Sequence, residues 1–322
     1  MGKKRNARGT VDASRYEVLF ADGKSDAGTP APGWVRTKTT KAGNMLNVES
    51  YPVIVNADVR RTCDALKKAR RTSIAQQRVN DEHSRKRFTA LLDANFGIGD
   101  VVLTNTYDYG VYDFGMNNMR DVSKELEAMD LPGEFADVVR HKANFIKKVK
   151  RNIKKLGGNP AELKYLWVIE AGRETQDTDP HQLPRKFHLH IIMSHPLIRS
   201  RVLSRDDLEN MWGHGMTRCD PLMPDNNGLA RLGRYLTKQR RCNRRWAGSR
   251  NLKEPTITIS NRKMSLRKSE RIAADVRANA AEIYEKLYPG YTLAEEPIIK
   301  YSNYIGGAYI YARLRKLKEV RL

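Results

Sequence analysis

Apolar side chains recur at Phe135, Val138, Phe145, Ile146, Val149 and Ile153, with lysines and arginines filling the positions between them. This spacing returns to one face every three or four residues and predicts an amphipathic helix over 134–156. Gly157-Gly158-Asn159-Pro160 then supplies the stop. Two strands follow in the pattern, KYLWVIE at 164–170 and KFHLHIIMS at 186–194, joined by the polar loop AGRETQDTDPHQLPR. Upstream, the turn residues of GIGD lead into a β-rich run, so 97–107 reads as a core strand. Downstream, the pattern predicts a short helix at 204–211, a strand at 216–219, and a helix at 229–241 preceded by the capping-type residues Asp225, Asn226 and Asn227. A strand at 256–260, a continuous helix at 265–287 ending at Pro289-Gly290, and a hairpin over 298–315 around Gly306-Gly307 complete the second half.

The first half is less regular. Residues 1–55 are rich in Gly, Ala, Thr, Lys and Pro, show little periodicity, and read as a basic extended arm. Residues 56–95 turn helical and strongly basic, with Leu66, Ile74, Phe88 and Leu91 or Leu92 as candidate buried positions. The expected organisation is an arm at 1–55, a helical lead-in at 56–95, a catalytic-type domain at 96–255 and a C-terminal α/β extension at 256–322. Strands and helices mix without regular β-α alternation, so the expected class is α+β with a central, mainly antiparallel sheet and flanking helices.

Composition narrows what such a fold could do. The 322 residues carry 59 Lys+Arg against 37 Asp+Glu, a formal net charge of +22. That excess implies a polyanionic partner, with nucleic acid first because a cationic surface neutralises phosphates and releases counterions. No apolar run approaches the roughly eighteen residues of a membrane span, and the basic start is not followed by a signal-type apolar stretch, so a cytoplasmic location is expected. Cys63, Cys219 and Cys242 are too few and too scattered for a disulfide framework or a four-thiolate zinc site. Gly23-Lys24-Ser25 resembles the end of a phosphate loop, but Val18 stands where its first glycine would be required. The absence of H-x-E and PCxxC excludes a zinc deaminase.

His188 and His190 alternate along a strand, so both imidazoles leave one face while Phe187, Leu189 and Ile191 leave the other. If the two central strands pair as neighbours, Glu170 lies beside the histidines, with Glu174 as a competing ligand. Imidazole and carboxylate donors together suit a divalent ion that retains open positions, such as Mg²⁺ or Mn²⁺. Tyr235 and Lys238 share a helix face, with Arg231 one turn before and Arg234 adjacent, while Leu229, Leu232 and Leu236 supply the packing side. A phenol near a divalent ion and positive charge can act as a covalent nucleophile, and a phosphodiester is the electrophile suited to so basic a protein. From Arg231 to Lys253 the chain holds Arg231, Arg234, Lys238, Arg240, Arg241, Arg244, Arg245, Arg250 and Lys253 without one acidic residue. Such a strip can follow a phosphate backbone while Trp246 stacks on a base.

These segments, from about 80 to 315, resemble the HUH-endonuclease initiators of rolling-circle replication, within them the single-tyrosine initiators of bacterial plasmids and filamentous-type phages. NDEHSRKRFTALLDANFGIGDVVLTNTYD is similar to the family's first motif and its lead-in, KYLWVIEAG to its carboxylate strand, FHLHIIM to its histidine strand and ARLGRYLTKQ to its tyrosine motif. RRWAGSRNLKEP and YIYARLR resemble its flanks. The chain departs from the pattern at Asn105, where an apolar residue is usual. Arg231 and Gln239 stand where a second tyrosine would lie one turn from Tyr235.

The resemblance implies a ferredoxin- or RRM-like core and a site-specific single-strand DNA endonuclease and strand-transferase. In it, His188, His190 and Glu170 would hold the metal, Tyr235 would attack the scissile phosphate and Lys238 would stabilise charge. Arg231, Arg234, Arg241, Arg245, Trp246 and Arg250 are the expected DNA contacts. The implied partners are single-stranded or melted origin DNA and a host helicase and polymerase. A second copy of the chain is also expected, since termination needs a second nucleophile. The alternatives are a transposase or mobilisation relaxase of the same superfamily, or a non-catalytic nucleic-acid-binding protein. In relaxases the tyrosine precedes the histidines, which is not the order here.

Overall fold

The structure, a computed structural model, describes residues 34–53, 74–107, 135–171, 187–238, 246–302 and 307–317. In chain order they form β1 (Trp34–Ala42), β2 (Met45–Val53), α1 (Ile74–Asn95), β3 (Val101–Thr106), α2 (Phe135–Lys155), β4 (Lys164–Ala171) and β5 (Phe187–Ser194). There follow α3 (Pro196–Arg199), α4 (Arg205–Asn210), β6 (Thr217–Pro221), α5 (Ala230–Leu236), β7 (Trp246–Gly248) and β8 (Thr256–Ser260). The chain ends through α6 (Leu266–Ala274), α7 (Val276–Leu287), β9 (Tyr291–Leu293), β10 (Ile298–Ser302) and β11 (Gly307–Lys316). The architecture is α+β, with antiparallel sheets flanked by helices, as the pattern predicted. Two compact units divide it: Met1–Ala90 with Pro255–Leu322, and Leu91–Glu254.

In the first unit the strands run β10-β11-β2-β1-β8, with β9 also paired to β11. Residues 34–53, expected within an extended arm, are instead a hairpin in register from Trp34↔Val53 to Ala42↔Met45. Its two-residue loop opens on Gly43 at φ 58°, a left-handed conformation that costs glycine little. β2 is central, bonded on its other side to β11, so the arm's second half is bound up with the C-terminal extension. One sheet face is dry: Val35, Val48, Ile310 and Leu314 pack with Ile272 of α6 and with Ile283 and Tyr284 of α7. The expected continuous helix at 265–287 is broken at Asp275. This residue leaves helical geometry (φ −149°, ψ 100°), and its carboxylate caps the second piece by accepting from the Ala278 N–H at 3.0 Å.

The opposite face of this sheet buries charge. The Glu49 carboxylate accepts from the Tyr309 hydroxyl at 3.0 Å, and that hydroxyl accepts from the Lys86 ammonium of α1 at 2.6 Å. Lys86 also lies over the rings of Tyr309 and Tyr311, 5.1 and 4.6 Å from their centroids, and forms ion pairs with Glu49 and Glu82. Burial pushes the Glu49 carboxyl up, but Lys86, Lys38 and the Tyr309 hydroxyl outweigh it and hold it below its ordinary value.

The second unit has strand order β6-β3-β5-β4-β7. Odd-numbered residues of β3 to β5, among them Leu103, Trp167, Ile169, Leu189, Ile191 and Met193, face α2, whose Val138, Phe145, Val149 and Ile153 complete the core. Helix α2 stops as its sequence predicted. Gly157 adopts φ 79°, and the Gly158 N–H returns to the Ile153 carbonyl at 2.9 Å. Trp212 is fully buried and donates its indole N–H to the Thr106 carbonyl at 2.8 Å. Asn105 lies on this dry face with no exposure. Its Oδ1 accepts from the Thr217 hydroxyl at 2.9 Å, while its Nδ2 has no partner among the described residues. An unpaired buried donor of this kind costs about 1–3 kcal/mol. The segment expected to be helical from 229 to 241 is helical only over Ala230–Leu236, and 239–245 lie outside the described residues, as do 56–73 of the basic lead-in.

Lys86→Met is expected to destabilise the first unit by about 3 kcal/mol in denaturant unfolding, because it removes one of the cations that offset the buried charge of Glu49. The carboxyl of Glu49 is depressed, so its contribution is present above the ordinary pKa of 4.5 and fades as pH falls through the lower folded value. In Lys86→Met the Glu49 carboxyl moves up towards its ordinary value, so this acid-side loss of stability should shrink.

Candidate active site

The β4–β5 register sets the site. Glu170 stands directly opposite His188 and Val168 opposite His190, so side chains of this parity leave the face away from α2. Strand β3 adds Thr104 opposite His190 and Thr106 opposite His188. On the far side, β7 brings Trp246 opposite Val168, onto the same face.

His190 is buried and held at both nitrogens. Its Nε2 lies 3.3 Å from Glu170 Oε2, and its Nδ1 lies 3.2 Å from the Thr104 hydroxyl. With Glu170 ionised, Nε2 carries the proton and Nδ1 accepts from Thr104. The hydrogen bond from His190 is the largest influence on the Glu170 carboxyl and lowers its pKa. Partial burial opposes this, and the charges of His190, His188 and Lys238 add to the lowering. Lys238 is therefore close enough to be felt at the carboxylate, although it lies two residues beyond helix α5.

Helix α5 carries Tyr235, whose ring meets the His190 ring edge-on at 6.2 Å between centroids. Tyr235 is 63% exposed, so an incoming substrate can reach it. Leu229, Ala230 and Leu236 are buried beneath it. The expected cap from Asp225, Asn226 or Asn227 does not form at this helix. Asp225 instead accepts from the Asn227 N–H, closing its own turn at 2.7 Å, and the Leu229 N–H is taken by Asp93 of α1 at 2.8 Å. Tyr165, Tyr309 and Tyr311 are less exposed than Tyr235. Tyr309 is buried, and burial pushes the phenol of Tyr165 up and that of Tyr311 up to about 12.

The structure thus brings together Glu170, His190 and Tyr235, with His188 opposite Glu170 and Lys238 nearby. Arg231 and Arg234 are exposed on α5, Arg250 is exposed after β7, and Trp246 is half-buried. Arg241, Arg245 and the competing ligand Glu174 lie outside the described residues. Thr104 is a site residue that the pattern did not single out. Its signal was present, since threonines 104 and 106 alternate on a strand as the histidines do.

Among the described residues, no three His, Cys, Asp or Glu side chains are gathered into a metal cage. The donor set and spacing of the pair nevertheless fit one small divalent ion. Two ligands about 2.1 Å from such an ion and about a right angle apart are separated by about 3 Å, close to the 3.3 Å between His190 Nε2 and Glu170 Oε2.

Residues 101–240 match the family model of replication-associated protein ORF2/G2P. The match spans the threonine strand, the carboxylate and histidine strands and the tyrosine helix, and it bears out the replication-initiator resemblance at the level of the family. No curated protein and no solved structure matches the chain. A replication-associated role accords with the basic charge, and among the described residues no helix is long and apolar enough to cross a membrane.

His190→Ala should raise the Glu170 carboxyl towards its ordinary 4.5, because the hydrogen bond that lowers it is lost. Titration of the carboxyl carbon by NMR checks this. A value as depressed as in the unsubstituted protein would mean that other charges control the group.

Proposed function

We propose that the chain is a single-tyrosine, metal-dependent endonuclease and strand-transferase that starts rolling-circle replication by nicking one DNA strand at an origin. The observation that carries this reading is the exposed Tyr235 ring set against a His190–Glu170 pair within the segment that matches the replication-associated family. The Tyr235 oxygen attacks the phosphorus and a new phosphotyrosine bond forms. The bond to the 3′ oxygen breaks, the phenol gives up its proton, and the leaving 3′ oxygen takes one up. The products are a 5′-phosphotyrosine and a free 3′-OH. Bond energy is conserved in the ester, so the reverse reaction reseals the strand without a nucleotide cofactor.

His188, His190 and Glu170 would hold Mg²⁺ or Mn²⁺, which when bound polarises the scissile phosphate. Thr104 fixes the His190 ring through Nδ1, and Lys238 offsets charge that develops on the phosphate. Arg231, Arg234 and Arg250 follow the backbone, and Trp246 offers a stacking face. A host helicase and polymerase carry on from the 3′ end, and a second copy of the chain supplies the tyrosine for the second cut.

Incubation with Mn²⁺ and a single-stranded oligonucleotide library should give protein covalently joined to DNA. Tyr235→Phe should reduce that adduct to background while retaining DNA affinity, and EDTA should abolish it. Adduct formation by Tyr235→Phe, or in EDTA, overturns the reading. Thr104→Val should cost about 10–100-fold in metal-dependent cleavage by releasing the His190 ring. Arg231→Ala or Arg250→Ala should each reduce the slope of log affinity against log salt by about one unit.

A further inference from the structure

The first unit contains a cavity of about 250 Å³ between helix α6 and the dry face of its sheet. Ala273, Ala274 and Glu270 line it from one helix face, Val35 and Pro52 from the hairpin, and Tyr301 from β10. The volume lies below the roughly 300 Å³ at which pockets for drug-sized ligands begin, and suits a single planar base. Tyr301 is 68% exposed although it belongs to a strand, so its ring is open to a stacking partner.

The charge of the segment that carries Glu270 points to the ligand. Between residues 261 and 271 the chain carries five cations, Arg262, Lys263, Arg267, Lys268 and Arg271, and one acid, Glu270. That acid lines the cavity and, among the described residues, forms no ion pair or hydrogen bond with any of these cations. Small apolar walls, an open aromatic ring and a carboxylate on a helix that also carries Arg267, Lys268 and Arg271 match an unstacked base attached to a phosphate backbone. An ionised carboxylate only accepts hydrogen bonds, so the base must donate. Guanine offers two adjacent donors, N1–H and the N2 amine, to the two carboxylate oxygens. Thymine offers one imide N–H.

We propose that this cavity is a base-reading subsite for single-stranded DNA, with Tyr301 stacking on the base and Glu270 selecting guanine over thymine. The proposal rests on the reading of the chain as a binder of single-stranded DNA, but it involves none of the residues around Tyr235.

The test uses the full chain and thymine 12-mers that carry one central G or an additional T, with affinity read by fluorescence anisotropy. The G-containing strand should bind about tenfold more tightly. Glu270→Gln should erase that preference, and Tyr301→Ala should weaken binding of the G-containing strand by about tenfold. Both side chains are exposed, so the fold should persist, and circular dichroism confirms it. Equal affinity for the two strands, or a preference that survives Glu270→Gln, overturns the subsite while leaving the nicking reading intact. Failure of the wild-type chain to bind any single strand removes the nucleic-acid reading itself, and the subsite with it. Tyr235 adduct formation on a library strand should remain within about twofold in both variants, since neither residue belongs to that site.

Discussion

The pairing of Lys164–Ala171 with Phe187–Ser194 governs the second unit. With Glu170 opposite His188, every second residue of both strands turns to the chemistry and every other one turns to helix α2. A slip of one residue in β5 would turn its whole set over, moving Leu189 and Ile191 into water and placing His190 among Phe145 and Val149. At roughly 1.5–3 kcal/mol for each large apolar side chain buried, that exchange is far too costly to be sampled. The dry face thereby fixes the position of the polar one, and Thr104 on β3 joins it through the same parity.

The first unit solves the opposite problem. One face of its sheet is conventionally apolar, but the other is closed by a lysine, a glutamate and two tyrosines. Such an arrangement persists only when each polar atom is matched, because a buried charge without a partner costs more than the pair contributes. The Lys86 ammonium is accordingly shared among two carboxylates, a phenol oxygen and two ring faces. This network gives the hairpin and helix α1 a specific register, which a uniformly apolar face would define less sharply.

That difference explains what could be read from the chain. Helix α2, the β4–β5 pair and their histidine and carboxylate positions were legible because their apolar side chains recur at a clean period. The placement of Tyr235 beside the histidine face was legible from motif order, whereas Lys238 falls two residues beyond the helix that the spacing assumed. The hairpin at 34–53 was not, because Glu49, Asn47 and Lys38 interrupt the apolar alternation at positions that are nonetheless inward-facing. Nor was the break at Asp275, where a single cap overrides a sequence that otherwise suits one helix. Thr104 escaped notice because its role depends on a strand brought alongside from 86 residues away. The tyrosine helix is tied down at Leu229 by Asp93 and is not capped by the nearby Asp225 for the same reason, since tertiary contact outranked local sequence.

That tyrosine helix has only seven residues, too few to be stable alone, and it is held by the Asp93 contact and a few leucines. The histidines, by contrast, sit in the centre of a five-stranded sheet. Detaching the helix would expose Leu229 and Leu236, whereas displacing the imidazoles would dismantle the core of the whole unit. On the proposed chemistry, the nucleophile is therefore the part that can travel. A captured 5′ end could be carried aside on its short tether while the phosphate-binding face stays assembled and ready to receive another strand.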